Sequence, residues 1–192
     1  MSKIQEMIDR MCPEGVNFYK ISDIASVNRG VRVTRSILSD SGYPVYQNSL
    51  TPMGYFTKTN VKGGTPFVIC GGAAGDIGYS NEDFWAADDC EYLICGEKVL
   101  NRYLYHFLLN KKTYLKSKVR TASIPRLSPS VICNLDIPVP PIEVQREIVK
   151  VLDNFSELTA ELTAELTARK KQYEYYRDNL LNFSNINRGG AK

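Results

Sequence analysis

A single histidine, His106, occurs in 192 residues, and that scarcity excludes a good deal of chemistry. A histidine-ligated metal centre, or a nucleophile activated by histidine, would have to be built on that one imidazole. His106 lies in the apolar and aromatic stretch 99–110, where packing is the expected role. Cysteine is present but not patterned: Cys12, Cys70, Cys90, Cys95 and Cys133 are odd in number and contain no Cys-x-x-Cys. This fits neither a disulfide framework nor a zinc cage, so buried thiols and no metal are expected. No apolar run nears the roughly 20 residues that cross a bilayer. Residues 1–12 lack the basic-then-apolar order of a secretory leader, so a cytoplasmic location without membrane contact is expected.

Catalytic and cofactor motifs are equally scarce. The nearest to one is Cys70-Gly71-Gly72-Ala73-Ala74-Gly75-Asp76-Ile77-Gly78, which follows the apolar residues 66–70. A dinucleotide or methyl-donor loop should open a helix, whereas residues 77–81 read as a returning strand, and the Gly-Lys-Ser/Thr ending of a phosphate loop is missing. The stretch therefore reads as a glycine-rich hairpin with exposed backbone able to approach DNA closely. An Asn-Pro-Pro-Tyr-like adenine-methylation motif and a nuclease-like carboxylate-plus-lysine arrangement are also missing. The chain reads as non-catalytic, with no cofactor of its own.

Hydrophobic residues make up 43% of the chain, enough for a buried core, and the net charge is only +3. The distribution of charge is more informative than the total. Residues 81–97 carry six acidic side chains and no basic one, whereas residues 98–135 carry eight basic side chains and no acidic one. Tyr103, Tyr105 and Tyr114 are interleaved with the latter. Such segregation concentrates positive potential as a phosphate-binding surface requires; the competing reading is a solvated basic face packed beside the acidic segment. Lys111, Lys112, Lys116, Lys118, Arg120 and Arg126 are the candidate DNA contacts in this run, with a second basic group at Arg29, Arg32 and Arg35. Asn48, Ser49, Gly72, Ala73 and Ser123, together with Arg32, Arg35 and Arg126, are candidates for the groove, being small or polar residues in predicted loops.

Periodicity predicts an α+β protein: a globular domain with a mainly antiparallel sheet, then a long C-terminal coiled-coil helix. A short amphipathic helix is expected over 2–11, ended by Pro13. Residues 19–27 suit strand or short helix, and residues 42–94 are apolar runs cut by Gly and Pro, the pattern of a sheet with turns. Helices are expected over 99–110 and 113–118, and an extended, proline-rich connection over 124–141. Residues 142–182 contain neither Gly nor Pro, which predicts one helix entered through Pro141. The expected division is 1–140 for the globular domain, 141–184 for the helix and 185–192 for a flexible tail.

Along that helix Ile148, Leu152, Phe155, Thr159, Leu162, Leu166, Arg169, Tyr173, Tyr176, Leu180 and Phe183 alternate spacings of four and three. This is a coiled-coil seam, and its candidate dimerisation residues are Ile148, Leu152, Phe155, Leu162, Leu166, Tyr173, Tyr176 and Leu180. No second segment of similar length exists to cover it, so a partner or a second copy is expected. Residues 157–168 are three copies of Glu-Leu-Thr-Ala. Each copy advances a helix by about 6 Å and rotates it by only about 40° beyond a full turn, the behaviour of a length adjuster.

The stretch Ala122-Ser123-Ile124-Pro125-Arg126-Leu127-Ser128, the run Leu135-Asp136-Ile137-Pro138-Val139-Pro140-Pro141-Ile142-Glu143-Val144-Gln145-Arg146-Glu147-Ile148-Val149 and the helix after it resemble the specificity subunit of type I restriction-modification systems. The Glu-Leu-Thr-Ala copies resemble spacer repeats of some members; residues 70–79 and 28–35 resemble positions inside the family's recognition domain less specifically. The usual subunit has two recognition domains and two helical regions, each domain reading half of a split site, whereas this chain looks like a half-subunit. The resemblance implies a non-catalytic partner of double-stranded DNA, of methylation subunits that hold S-adenosylmethionine, and of restriction subunits. Together with the seam it implies an antiparallel homodimer on an interrupted palindrome. A free-standing dimeric DNA-binding or coiled-coil scaffold protein is the alternative.

Overall fold

The computed structural model describes residues 3–121 and 123–182. Ala122 of the Ala-Ser-Ile-Pro stretch, Phe183 of the seam and the predicted tail lie outside them. The chain divides into two compact units, the first ending at Val149 and the second beginning at Lys150.

The first unit opens with α1 (Lys3–Met11), as the amphipathic pattern predicts, and the ambiguous segment after it uses both of its options in turn. It forms β1 (Phe18–Lys20), the single turn α2 (Ile21–Ile24) and β2 (Ala25–Arg29). The glycine-punctuated middle gives β3 (Tyr43–Tyr46), β4 (Tyr55–Phe56), β5 (Thr65–Ile69), β6 (Ile77–Ser80), β7 (Trp85–Ala86) and β8 (Cys90–Cys95). A four-stranded antiparallel sheet has the order β2-β8-β5-β6, and a smaller sheet the order β4-β3-β7, in which β3 and β7 run parallel. Pro66 sits inside β5 but opposite Tyr79 only; pairing with β8 starts at Phe67, so the missing N–H falls where no second ladder needs it.

Helices α3 (Asn101–Asn110) and α4 (Lys112–Ser117) follow as expected. The extended connection expected over 124–141 is instead α5 (Pro129–Cys133) followed by β9 (Asp136–Pro138), which pairs antiparallel with β1. Pro129 occupies the first turn of α5, where a proline starts a helix rather than forbidding one.

Strand β5 is buried on both faces, and its alternation divides the core. Val68 joins Leu93, Leu104, Leu108, Leu115, Ile132 and Ile137 under the helices, while Phe67 and Ile69 join Phe84, Ala86 and Cys90 on the opposite side of the sheet. His106 is buried at 9% exposure, in keeping with a packing role. Burial pushes the thiols of Cys70 and Cys95 up to about 12, so neither is a thiolate at neutral pH.

Helix α6 (Ile142–Leu181) runs for 40 residues, ~60 Å at the helical rise. Its first two turns belong to the first unit: Val144 and Gln145 are fully buried, and Ile148 and Val149 pack against the main core. Gln145 is held by three hydrogen bonds. Its side-chain oxygen accepts from the Leu100 amide at the start of α3, and its Nε2 donates to the carbonyls of Lys98 and Pro140.

The second unit is the remainder of α6, and its apolar side chains are exposed. Leu152, Phe155, Leu158, Leu162, Leu166, Tyr173, Tyr176 and Leu180 all lie open, whereas Ile148, counted in the same seam, is covered by its own domain's core. The hydroxyls of Thr159, Thr163 and Thr167 donate to the carbonyls four residues back. The repeat therefore carries a threonine row with its polar groups satisfied and, separately, a leucine row at Leu158, Leu162 and Leu166.

Candidate nucleic-acid interface

The glycine-rich segment 70–76 joins β5 to β6 as a hairpin, not as a helix-opening loop. Its amides are committed internally, while Gly72 and Ala73 themselves remain half-buried at the surface. Gly71, Ala74 and Gly75 are buried, the Gly72 amide donates to the Pro125 carbonyl, and the Ala73 amide donates to the Asn48 carbonyl. Gly72 adopts φ +79°, and a Cβ there would meet the Asn48 carbonyl at 2.9 Å. The residue is thus required both by its dihedral and by its neighbour.

Three segments are drawn to this hairpin. The loop after β3 brings Asn48. The segment leading to α5 brings Arg120 and Arg126, which exchange both backbone hydrogen bonds at 2.8 and 3.1 Å, while the Leu127 amide donates to the Cys70 carbonyl. Helix α4 brings Lys116, whose side chain packs on Gly75, and Lys112. Seven of the candidate residues (Asn48, Gly72, Ala73, Lys112, Lys116, Arg120 and Arg126) therefore gather at one place from four stretches of the chain.

Carboxylates that the charge pattern did not single out organise the cations. Asp76, at the foot of β6, binds Lys112 at 3.1 Å and Lys116 at 3.0 Å. Burial alone would raise its pKa, but donation from Lys116 and Lys112 outweighs it and holds the carboxyl below the ordinary value. Asp89 accepts from Arg126 Nη1 at 3.0 Å. Asp88 accepts from Arg29 Nε through its carbonyl and from Gln47 Nε2 through its carboxylate. Behind them Glu91, 5% exposed and opposite Arg29 in the β2–β8 register, has its pKa raised by burial, partly offset by Arg29. In the Arg126–Asp89 pair, the acidic segment does pack against the basic one.

The remaining candidates are exposed or engaged in other contacts. Arg32 and Arg35 are exposed on a loop tied to β7 by the Val31 amide, the Trp85 indole N–H and buried Val33. Ser49 donates to the Thr51 carbonyl within its own turn. Lys111 lies over the Phe107 ring and Lys118 over the Tyr114 ring, and Ser123 is exposed. Gln47 and Asp76 were missed by sequence reasoning. Asp88 and Asp89 belong to the acid-rich run, whose packing beside the basic run was the competing reading.

Among the described residues no cluster of His, Cys, Asp and Glu is arranged to hold a metal ion, and no helix is long and apolar enough to cross a membrane.

Residues 13–169 match the family model described as the type I restriction modification DNA specificity domain. A type I specificity subunit of Mycoplasma pneumoniae is 36% identical over 172 residues, covering 87% of this chain and 47% of the relative. A type I restriction enzyme specificity subunit of Haemophilus influenzae is 34% identical over 188 residues, covering 90% and 48%. The crystal structure of the S subunit of a type I restriction-modification system from M. genitalium superposes with a TM-score of 0.69 at 18% identity, over 88% of this chain and 47% of that one. The chain thus spans about half the length of these proteins.

Proposed function

The chain belongs to the type I restriction-modification DNA specificity family, and from that premise we propose that its first unit reads one half of a bipartite DNA site through the surface around the 70–76 hairpin. The observation that carries this reading is the convergence there of Asn48, Gly72, Ala73, Arg120 and Arg126 beside the lysines of α4. Asn48 and the two arginines carry side-chain donors and acceptors suited to base edges, Gly72 and Ala73 leave room for close approach, and the lysines add charge for phosphates. Two chains pair through the second part of α6, antiparallel and two-fold, so that two half-sites are read as an interrupted palindrome. The assembled chains direct methylation and restriction subunits to that site in the cytoplasm. S-adenosylmethionine is bound by the methylation subunit, and this chain contributes recognition without catalysis.

A methylation map of cells carrying this chain and its partner subunits tests the reading. Expected is one split, palindromic motif that disappears when the chain is removed. A methylation pattern indifferent to the chain, with no methylation subunit co-purifying, would leave a free-standing scaffold. Salt dependence tests the surface: replacing Lys116, Lys118 and Arg120 together with Ala should flatten the slope of log affinity against log salt by about 0.9 for each phosphate that is no longer neutralised. An unchanged slope would place DNA elsewhere.

A further inference from the structure

We propose that Arg126 is a base-reading arginine and that Asp89 is the positioning residue that aims it, an inference that rests on the DNA-recognition reading above. Arg126 differs from the other cations in how completely it is held. Its backbone is fixed to Arg120 by a reciprocal pair of hydrogen bonds, and the next amide, that of Leu127, is fixed to Cys70. Its guanidinium is fixed by Asp89, whose side chain is only 16% exposed while that of Arg126 is 54% exposed.

Asp89 is in turn immobilised. Its carbonyl accepts from the Cys70 amide at 2.7 Å, and its carboxylate lies so close over Gly71 that a Cβ there would stand 2.5 Å from Cγ. A rigid hairpin, a half-buried carboxylate and an exposed guanidinium are therefore stacked in series. Ordering costs for this side chain are met by folding rather than by binding.

Charge separates the two roles open to an arginine on DNA. A guanidinium met by a carboxylate at 3.0 Å forms a nearly neutral pair, which adds little long-range attraction for phosphates. Base edges require placed donors rather than net charge. Asp89 engages Nη1, and a guanidinium carries five N–H donors in a fixed fork, so the Nε–Nη2 edge keeps the spacing that pairs with O6 and N7 of guanine. Lys112 and Lys116 share one carboxylate and together keep a net positive charge, which suits phosphates.

The test is selection from randomised duplexes by the full-length chain with its methylation subunit, for wild type, Asp89→Asn, Arg126→Ala and Arg126→Lys, with the salt slope measured on the wild-type motif. Expected is a loss of preference, about tenfold or more, at the same single position in all three variants, with the other positions kept. Lysine should not rescue, because it keeps the charge and loses the fork. The salt slope of Arg126→Ala should change by much less than the 0.9 or so of one phosphate contact. Uniform weakening with an intact motif, or rescue by lysine, overturns the base-reading role. A motif kept in Asp89→Asn but absent in Arg126→Lys overturns the positioning role. A wild-type chain that selects no motif overturns the DNA-recognition reading itself.

Discussion

Gln145 shows how much one neutral side chain can hold. Its amide satisfies the Leu100 N–H, one of the orphan donors at the start of α3, and two carbonyls in the connections on either side. Gln145→Leu keeps the volume and strands three polar groups, for a cost of about 3 kcal/mol and a fall in Tm of roughly 6–12 °C. Gln145→Glu keeps the bond from Leu100 but turns a carboxylate towards the carbonyls of Lys98 and Pro140, and should be no better. Thermal melts check both; a Gln145→Leu protein whose Tm matches that of wild type would contradict this account. Asp76 gives a pH signature with a definite sign. Its folded pKa is depressed by Lys116 and Lys112 against the effect of burial, so its stabilisation is present above the unfolded carboxylate value near 4 and is lost as pH falls through the folded one. Asp76→Asn should be less stable than wild type at pH 7 and converge with it in strong acid. Urea titrations at several pH values measure this, and a gap independent of pH would show that Asp76 acts by shape rather than charge.

At the scale of an element, the Glu-Leu-Thr-Ala copies bring two regularities into α6. Threonine hydroxyls return to the carbonyl four residues back in every copy, and leucines recur at Leu158, Leu162 and Leu166. Because a copy adds one turn and only about 40°, deleting one leaves a helix whose apolar row can re-form while its length falls by about 6 Å. At roughly 3.4 Å per base pair, the spacer between half-sites should lose one or two base pairs and the half-sites should not change. Methylation maps for two-, three- and four-copy chains read this directly; one spacer for all three would mean that the copies are only a stable stretch of helix. Helix α5 and strand β9 carry a different lesson, since a proline-rich stretch became a helix and a strand by placing Pro129 in a first turn and Pro138 at a strand end.

On the scale of the whole molecule, the open residues Leu152, Phe155, Leu162, Leu166, Tyr173 and Leu180 are the surface through which the proposed pair would form. Each large side chain fully buried in a pair contributes roughly 1.5–3 kcal/mol before ordering costs. A chain truncated after Asp153 should therefore sediment as a monomer where the full chain sediments as a dimer. It should keep its fold, because the core contributions of α6, from Val144 to Val149, are retained. A dimeric truncation product would move the interface to the first unit.

Local pattern was enough for the long helix, the antiparallel sheet and the glycine hairpin, because periodicity, proline placement and glycine spacing act within a few residues. It was enough for the family too, through the Ile-Pro-Arg-Leu-Ser and Ile-Pro-Val-Pro-Pro stretches. Tertiary structure alone decided which cations share a site. Arg126 meets Asp89 across 37 residues, and Lys116 meets Asp76 across the joint between α4 and β6, while Arg32 and Arg35, as basic in sequence as the others, fall on a different loop. It also packed Ile148, half-buried, against the core of the first unit. A sequence run records the sign of charge along the chain, whereas the field at a surface depends on which opposite charges folding brings within a few ångströms, and that is set by strand order and hairpin packing.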